Sequence, residues 1–131
     1  MNPSYLLDSS VCVPVLRNQA GLGKLPDPAL TGIPVIVVAE LWTGVKKNLS
    51  THPHQAAKLQ AFLDLCLIAD FTLDAAIHYA EIRAALEAAG TSIGPVDLFI
   101  AAQTRSLGAT LVTANAAEFK RVKGLKVLAW K

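Results

Sequence analysis

Cysteine is scarce: Cys12 and Cys66 are the only two in 131 residues. Each lies in an apolar setting, Val11-Cys12-Val13 and Leu65-Cys66-Leu67. That pair makes neither a disulfide framework nor a zinc knuckle, and both are expected as small buried hydrophobes. Long apolar runs are also missing. The charge-free stretch Pro28 to Ala39 falls far short of the roughly 18 apolar residues that a membrane span needs. The N-terminus, Met1-Asn2-Pro3-Ser4-Tyr5-Leu6-Leu7-Asp8, has no basic start and reaches an acid before a signal-length apolar run can form, so a cytoplasmic location is expected. No Walker loop or Gly-x-Gly-x-x-Gly turn occurs, because Gly21-Leu22-Gly23 lacks the third glycine and the preceding strand. A Gly-x-Ser-x-Gly elbow is absent too, and the three histidines sit far from the strand ends where Ser9 or Ser10 would need a base.

What is present is apolar: 53% of residues are hydrophobic and 17% charged, which excludes intrinsic disorder and supplies one sizeable core. The length suits a single domain over residues 1–131. Net charge is only +2, too weak a field to mark a nucleic-acid protein by itself, but its distribution is uneven. From Leu41 to Leu63 there is no acid, while Lys46, Lys47, His52, His54 and Lys58 are present. Lys120 to Lys131 is likewise free of acids and holds Lys120, Arg121, Lys123, Lys126 and Lys131. Between Asp64 and Phe99 the balance reverses, and Asp64, Asp70, Asp74, Glu81, Glu87 and Asp97 face a single base, Arg83. This pattern reads either as solvated helix surface or as basic rims around an acidic centre.

Along the chain, Ser4 to Leu7 reads as a strand that runs into a helix-capping cluster, Asp8-Ser9-Ser10. Gly21 to Gly32 reads as a loop with at most a short helix around Asp27 to Leu30. Ile33 to Val38 is apolar and mostly β-branched, the pattern of a doubly buried parallel strand, with a helix from Ala39 to Lys47. Ala56, Leu59, Phe62, Leu63 and Cys66 recur at helical spacing from Pro53 to about Leu67, and Ile68 to Leu73 reads as a strand. A helix from Asp74 to Ala89 ends at Gly90; Pro95 opens another, Val96 to Leu107, that ends at Gly108. Thr110 to Thr113, Ala116 to Lys120 and Lys126 to Trp130 complete a strand, a short helix and a strand. Alternating strands and helices imply an α/β fold: a three-layer α/β/α sandwich around a mostly parallel sheet of four to five strands. Trp42, Trp130, Phe62, Phe71 and Phe99 stand at spacings suited to core packing.

In such sheets ligands bind beyond the carboxyl ends of the strands. Asp8, Glu40, Asp97 and Asn115 all map to strand ends or helix starts. Singly, Asp8 also reads as a helix cap, Asp97 as a complement to its helix dipole, and Asn115 as a cap three residues before Glu118. Glu40 stands out because Ile33 to Trp42 holds no other charge, and a lone carboxylate among buried neighbours is costly without a partner. If Asp8, Glu40 and Asp97 converge, their repulsion calls for a cation, and hard oxygen ligands select Mg²⁺ or Mn²⁺. No competing zinc set exists, since His52 and His54 lie in a basic loop and His78 is alone in a helix.

The arrangement resembles the PIN-domain ribonucleases, in particular the VapC toxins of toxin–antitoxin pairs. The resemblance is carried by Tyr5-Leu6-Leu7-Asp8, Ala39-Glu40-Leu41 with Gly44, Gly90 through Ala102, Leu111-Val112-Thr113-Ala114-Asn115, Glu118-Phe119, Arg121-Val122, Gly124-Leu125 and Trp130. It places that family's acidic quartet on Asp8, Glu40, Asp97 and, at its variable fourth place, Asn115, with Thr113 as the hydroxyl beside it. Two departures stand out: Asp8 is followed by Ser9-Ser10 rather than Thr-Asn, and the fourth acid is an amide. The resemblance implies Mg²⁺- or Mn²⁺-dependent hydrolysis of RNA leaving 5′-phosphates. In that reading Asp8 and Asp97 hold the metal, Glu40 serves the attacking water, and Lys46, Lys47 and the 120–131 segment hold flanking phosphates. It further implies a homodimer neutralised by a small antitoxin, whose C-terminal residues enter the acidic site and for which the Ala-rich helices offer a groove. Two other readings stay open: an inactive interaction module whose acids only cap helices, and a phosphoacceptor domain, for which Lys126 and Lys131 are poorly placed.

Overall fold

The computed structural model describes residues 2–17 and 25–130. Residues 21–24 of the expected loop, and Met1 and Lys131, lie outside the described residues. Twelve elements follow in order: β1 (Tyr5–Leu7), α1 (Ser9–Leu16), a 3₁₀ turn (Pro28–Leu30), β2 (Thr31–Pro34), α2 (Val35–Lys47), α3 (Gln55–Leu65), β3 (Leu67–Ala69), α4 (Leu73–Ala89), α5 (Pro95–Ser106), β4 (Thr110–Thr113), α6 (Ala116–Phe119) and β5 (Lys126–Ala129).

The five strands form one sheet in the order β3-β2-β1-β4-β5, and every neighbouring pair is parallel. The chain steps outward from β1 to β3 on one side, then restarts beside β1 with β4. Strand order therefore reverses between β1 and β4, and their carboxyl ends open the crevice in which such sheets bind ligands. Helices cover the sheet, as alternation implied. Leu6, Leu7, Ile33, Leu111 and Val112 fill its centre, with Leu59, Ile100 and Phe119 packed on them from the helices. Gly32 is required where β2 meets β1: a Cβ there would stand 2.8 Å from Leu6 and 2.9 Å from Pro3.

Two expected boundaries move. The apolar run Ile33 to Val38 is not one strand; Pro34 caps α2, and Val35 to Val38 are helical. Composition cannot separate a short buried strand from a buried helix, but the recurrence Val37, Leu41, Val45 on the buried face of α2 has the helical period. Likewise Ile68 to Leu73 is not all strand. β3 ends at Ala69, because the Thr72 hydroxyl accepts the Ala75 N–H at 3.1 Å and caps α4. Gly90 takes φ +70° to end α4, as its position announced. Cys12 is buried, but Cys66 is only half-buried, since it caps α3 at the turn into the edge strand β3.

Candidate active site

The site begins with the residue after β1. Asp8 is 3% exposed at the N-cap of α1, yet its side chain makes no cap hydrogen bond. Its oxygens accept hydroxyls instead: Ser10 donates to Oδ1 at 2.5 Å and Thr113, at the end of β4, donates to Oδ2 at 2.6 Å. The same hydroxyls accept backbone N–H groups of the turn after β4, Ser10 from Ala114 at 3.0 Å and Thr113 from Asn115 at 2.9 Å. Two hydroxyls thus hold one buried carboxylate and the neighbouring turn as a single network. Burial raises the Asp8 carboxyl above the usual carboxylate range, against the opposing pull of Ser10 and Thr113.

Asp97 enters from the first turn of α5, opened by Gly94 and Pro95. Its carboxyl is pushed up to about 6, first by burial, then by the charges of Glu118, Asp8 and Glu40. Glu118, on α6, accepts the Gly94 N–H at 3.2 Å and so lies against the helix start that carries Asp97. It is the fourth carboxylate of the cluster, and the spacing Asn115 to Glu118, read as a cap, concealed it. Asn115 occupies the N-cap of α6, but its side chain makes no cap hydrogen bond and is exposed.

Glu40 reaches the cluster by a different route from the one expected. It lies within α2 rather than just past a strand, and it is exposed rather than set among buried neighbours. Its carboxyl is nevertheless raised, by partial desolvation and by the charge of Asp8, with Ser9 acting in the opposite sense. Glu40 is therefore the solvent-side wall of the cleft, and Asp8 its floor. It also lines a groove between α1, α2 and α3, floored by Val13, Leu16, Leu41, Val45 and Leu59, with Arg17 and Lys58 on the rim. The basic residues Lys46, Lys47, Lys120, Lys123 and Lys126 are exposed.

His78, the sole histidine of α4, is engaged outside the cleft. Its Nδ1 accepts the Arg105 Nε–H at 2.8 Å, because α4 and α5 pack together and bring the two residues face to face.

Among the described residues no Lys or Arg is paired with Asp8, Glu40, Asp97 or Glu118; the ion pairs all lie elsewhere. Nor do three Asp, Glu, His or Cys side chains among the described residues gather as a ready-made metal cage. The donor set still fits a hard cation. Mg²⁺ binds through one or two carboxylates and keeps several waters, so it needs no closed cage, and raised carboxyls without basic partners are the signature of charge awaiting a counter-ion.

The chain matches the PIN domain family over residues 5–125. Ribonuclease VapC2 of Rickettsia felis is 37% identical over 131 residues, spanning 96% of this chain and 97% of the relative. The tRNA(fMet)-specific endonuclease VapC of Salmonella typhimurium is 31% identical over 129 residues, spanning 96% and 97%. Among solved structures, DNA-bound VapBC from Salmonella typhimurium superposes with a TM-score of 0.90 at 30% identity, covering 100% of both chains. VapBC2 from Rickettsia felis, bound to a DNA fragment from its promoter, gives 0.87 at 35% identity, covering 97% of this chain and 98% of that one.

Proposed function

This chain belongs to the PIN domain family and, within it, to the VapC ribonucleases; on that premise we propose that it is an endoribonuclease toxin, hydrolysing RNA phosphodiester bonds and neutralised by a small VapB-like antitoxin. The observation that carries this reading is the meeting of Asp8, Glu40, Asp97 and Glu118, from four separate elements, at the switch point between β1 and β4 with no basic partner among the described residues.

Asp8 and Asp97, with Glu40 beside them, would hold one Mg²⁺ or Mn²⁺. Such an ion supplies charge neutralisation at the phosphate and lowers the pKa of water. The rest falls to the chain. Ser10 and Thr113 hold the Asp8 carboxylate in one orientation, so no reorganisation is needed when charge develops. Glu40, at the mouth and with a raised pKa, is suited to accept the proton of the attacking water. The Asn115 amide, exposed and not engaged in capping, would donate to a phosphate oxygen. Exposed Lys46, Lys47, Lys120, Lys123 and Lys126 neutralise flanking phosphates, which makes binding salt-dependent. The apolar groove of α1, α2 and α3 takes the antitoxin segment, and because Glu40 lines both groove and cleft, a chain lying in the groove reaches the acids. A cytoplasmic setting agrees with this reading, and no helix among the described residues is long and apolar enough to cross a membrane.

The inactive-module reading leaned on Asn115; Glu118 restores the fourth negative charge and removes that support. The phosphoacceptor reading needs a lysine beside the acids, but Lys126 starts β5, at the sheet edge opposite the carboxyl ends.

The test is cleavage of total bacterial RNA by purified, antitoxin-free protein with Mg²⁺ or Mn²⁺, beside EDTA and Asp8→Ala controls. Discrete fragments with 5′-phosphate ends, lost in both controls, are expected. A folded, metal-supplied protein that cuts nothing would favour the interaction module.

A further inference from the structure

The short helix α6 carries Glu118, Arg121 follows just past the end of that helix, and both reach across to the same segment. Residues Thr91 to Gly94, between α4 and α5, form neither helix nor strand, so their shape depends on what holds them. Glu118 accepts the Gly94 N–H at 3.2 Å, and the Arg121 guanidinium donates to the Ser92 carbonyl at 3.3 Å. At the far end of α5, Arg105 returns the contact. Its three guanidinium nitrogens donate to His78 Nδ1 at 2.8 Å, Glu81 at 2.7 Å and the Lys123 carbonyl at 3.1 Å, just before Gly124 at φ +81°. The segment from α6 to β5 is thus held at one end to the stretch that leads into α5, by Arg121, and at the other to α5 itself, by Arg105.

We infer that Arg121 and Arg105 are positioning residues that clamp the α6–β5 segment onto α5, so that Glu118 and the first turn bearing Asp97 are held in register for the metal. The inference rests on the nuclease reading above. The two arginines differ from Arg83, which pairs with Glu87 on its own helix and ties nothing to the site. Arg121 has no carboxylate partner among the described residues, so its observed work is the bond to Ser92. It is exposed, and its replacement leaves the core untouched. Arg105 is largely enclosed, and lysine cannot replace a fork that serves three acceptors.

The experiment compares wild type, Arg121→Ala and Arg121→Lys. Each is titrated with Mn²⁺ by calorimetry without RNA, then assayed for RNA cleavage across Mg²⁺ and RNA concentrations. A clamp predicts that Arg121→Ala binds Mn²⁺ about 10-fold more weakly, as loss of an orienting outer contact does. It should also need more Mg²⁺ for half-maximal cleavage, with KM for RNA at saturating Mg²⁺ unchanged. Arg121→Lys, which can still donate once to Ser92, should recover most of the affinity. Unchanged Mn²⁺ affinity in Arg121→Ala overturns the inference, and a raised KM in that case assigns the guanidinium to an RNA phosphate. A wild type that neither binds Mn²⁺ nor cuts RNA removes the nuclease reading and the clamp together; one that does both while Arg121→Ala matches it removes the clamp alone.

Discussion

Two regions of this molecule are rich in carboxylates, and they are built in opposite ways. On α4, acids sit beside bases: Glu87 meets Arg83 at 2.8 Å, Glu81 meets Arg105 at 2.7 Å, and Asp74 lies 4.0 Å from His78. At the carboxyl ends of β1 and β4, Asp8, Glu40, Asp97 and Glu118 meet one another, with no Lys or Arg partner among the described residues. The first arrangement is at rest in water. The second is desolvated and lacks a neutralising partner, which shows as carboxyls raised above their ordinary range at Asp8, Glu40 and Asp97, first by burial and, at Glu40 and Asp97, also by neighbouring acids. Residue type is the same in both; what differs is burial and the company each acid keeps, and only the second set has a reason to bind a cation.

The sharpest way to break this contrast is to neutralise one acid from each region. Asp97→Asn should cost RNA cleavage about a hundredfold or more, on the scale of losing a group that acts on developing charge, while Glu87→Gln leaves the rate unchanged. Equal losses in a cleavage assay would show that the stress at the cleft has no chemical use. Glu118→Gln should have a smaller effect, about tenfold, with more Mg²⁺ needed for half-maximal rate; Asn115→Ala, touching no carboxylate, should change the Mg²⁺ requirement less.

Thr113→Val tests how the buried acid is held. It strips Asp8 of one hydroxyl and leaves the Asn115 N–H without its acceptor, so denaturant unfolding should show a loss of about 1–3 kcal/mol. An unaltered midpoint would mean that Ser10 alone fixes Asp8.

The smallest effect expected is on pH. Asp97 titrates near 6 in the folded chain against 3.8 for an ordinary Asp, so folding favours its protonated form. Its contribution to stability is complete below 3.8 and is lost as pH rises through about 6. Metal-free wild type should therefore lose stability relative to Asp97→Asn across that window, and Mg²⁺ should restore it at neutral pH more than at acid pH. Parallel melting profiles for the two proteins would show that Asp97 is unstressed.

The cleft was partly legible. Asp8 ends an apolar strand and Asp97 follows a helix-opening proline, so both could be placed at the carboxyl edge before any fold was known. Glu40 was legible as a lone charge but not in its setting: it stands on the solvent side of α2 rather than among buried neighbours, and its carboxyl is raised by partial desolvation and by the charge of Asp8. Glu118 was not legible, because three residues after an asparagine it fits a capping box, and only the bond to Gly94 shows where it points. The division of Ile33 to Val38 between strand and helix escaped notice because burial on all sides erases the alternation that separates the two periods.

By itself the sequence determined the alternation of strands and helices, the stops at Gly90 and Pro95, and the supply of hard oxygen ligands with no cysteine or histidine set to compete. These are local matters of periodicity, capping and side-chain chemistry. Which acids face one another was decided by the strand order β3-β2-β1-β4-β5. That order lays β4 against β1 and joins Thr113 to Asp8 across 105 positions of chain. Electrostatic stress depends on separation and on exclusion of water, and neither exists until distant segments have packed.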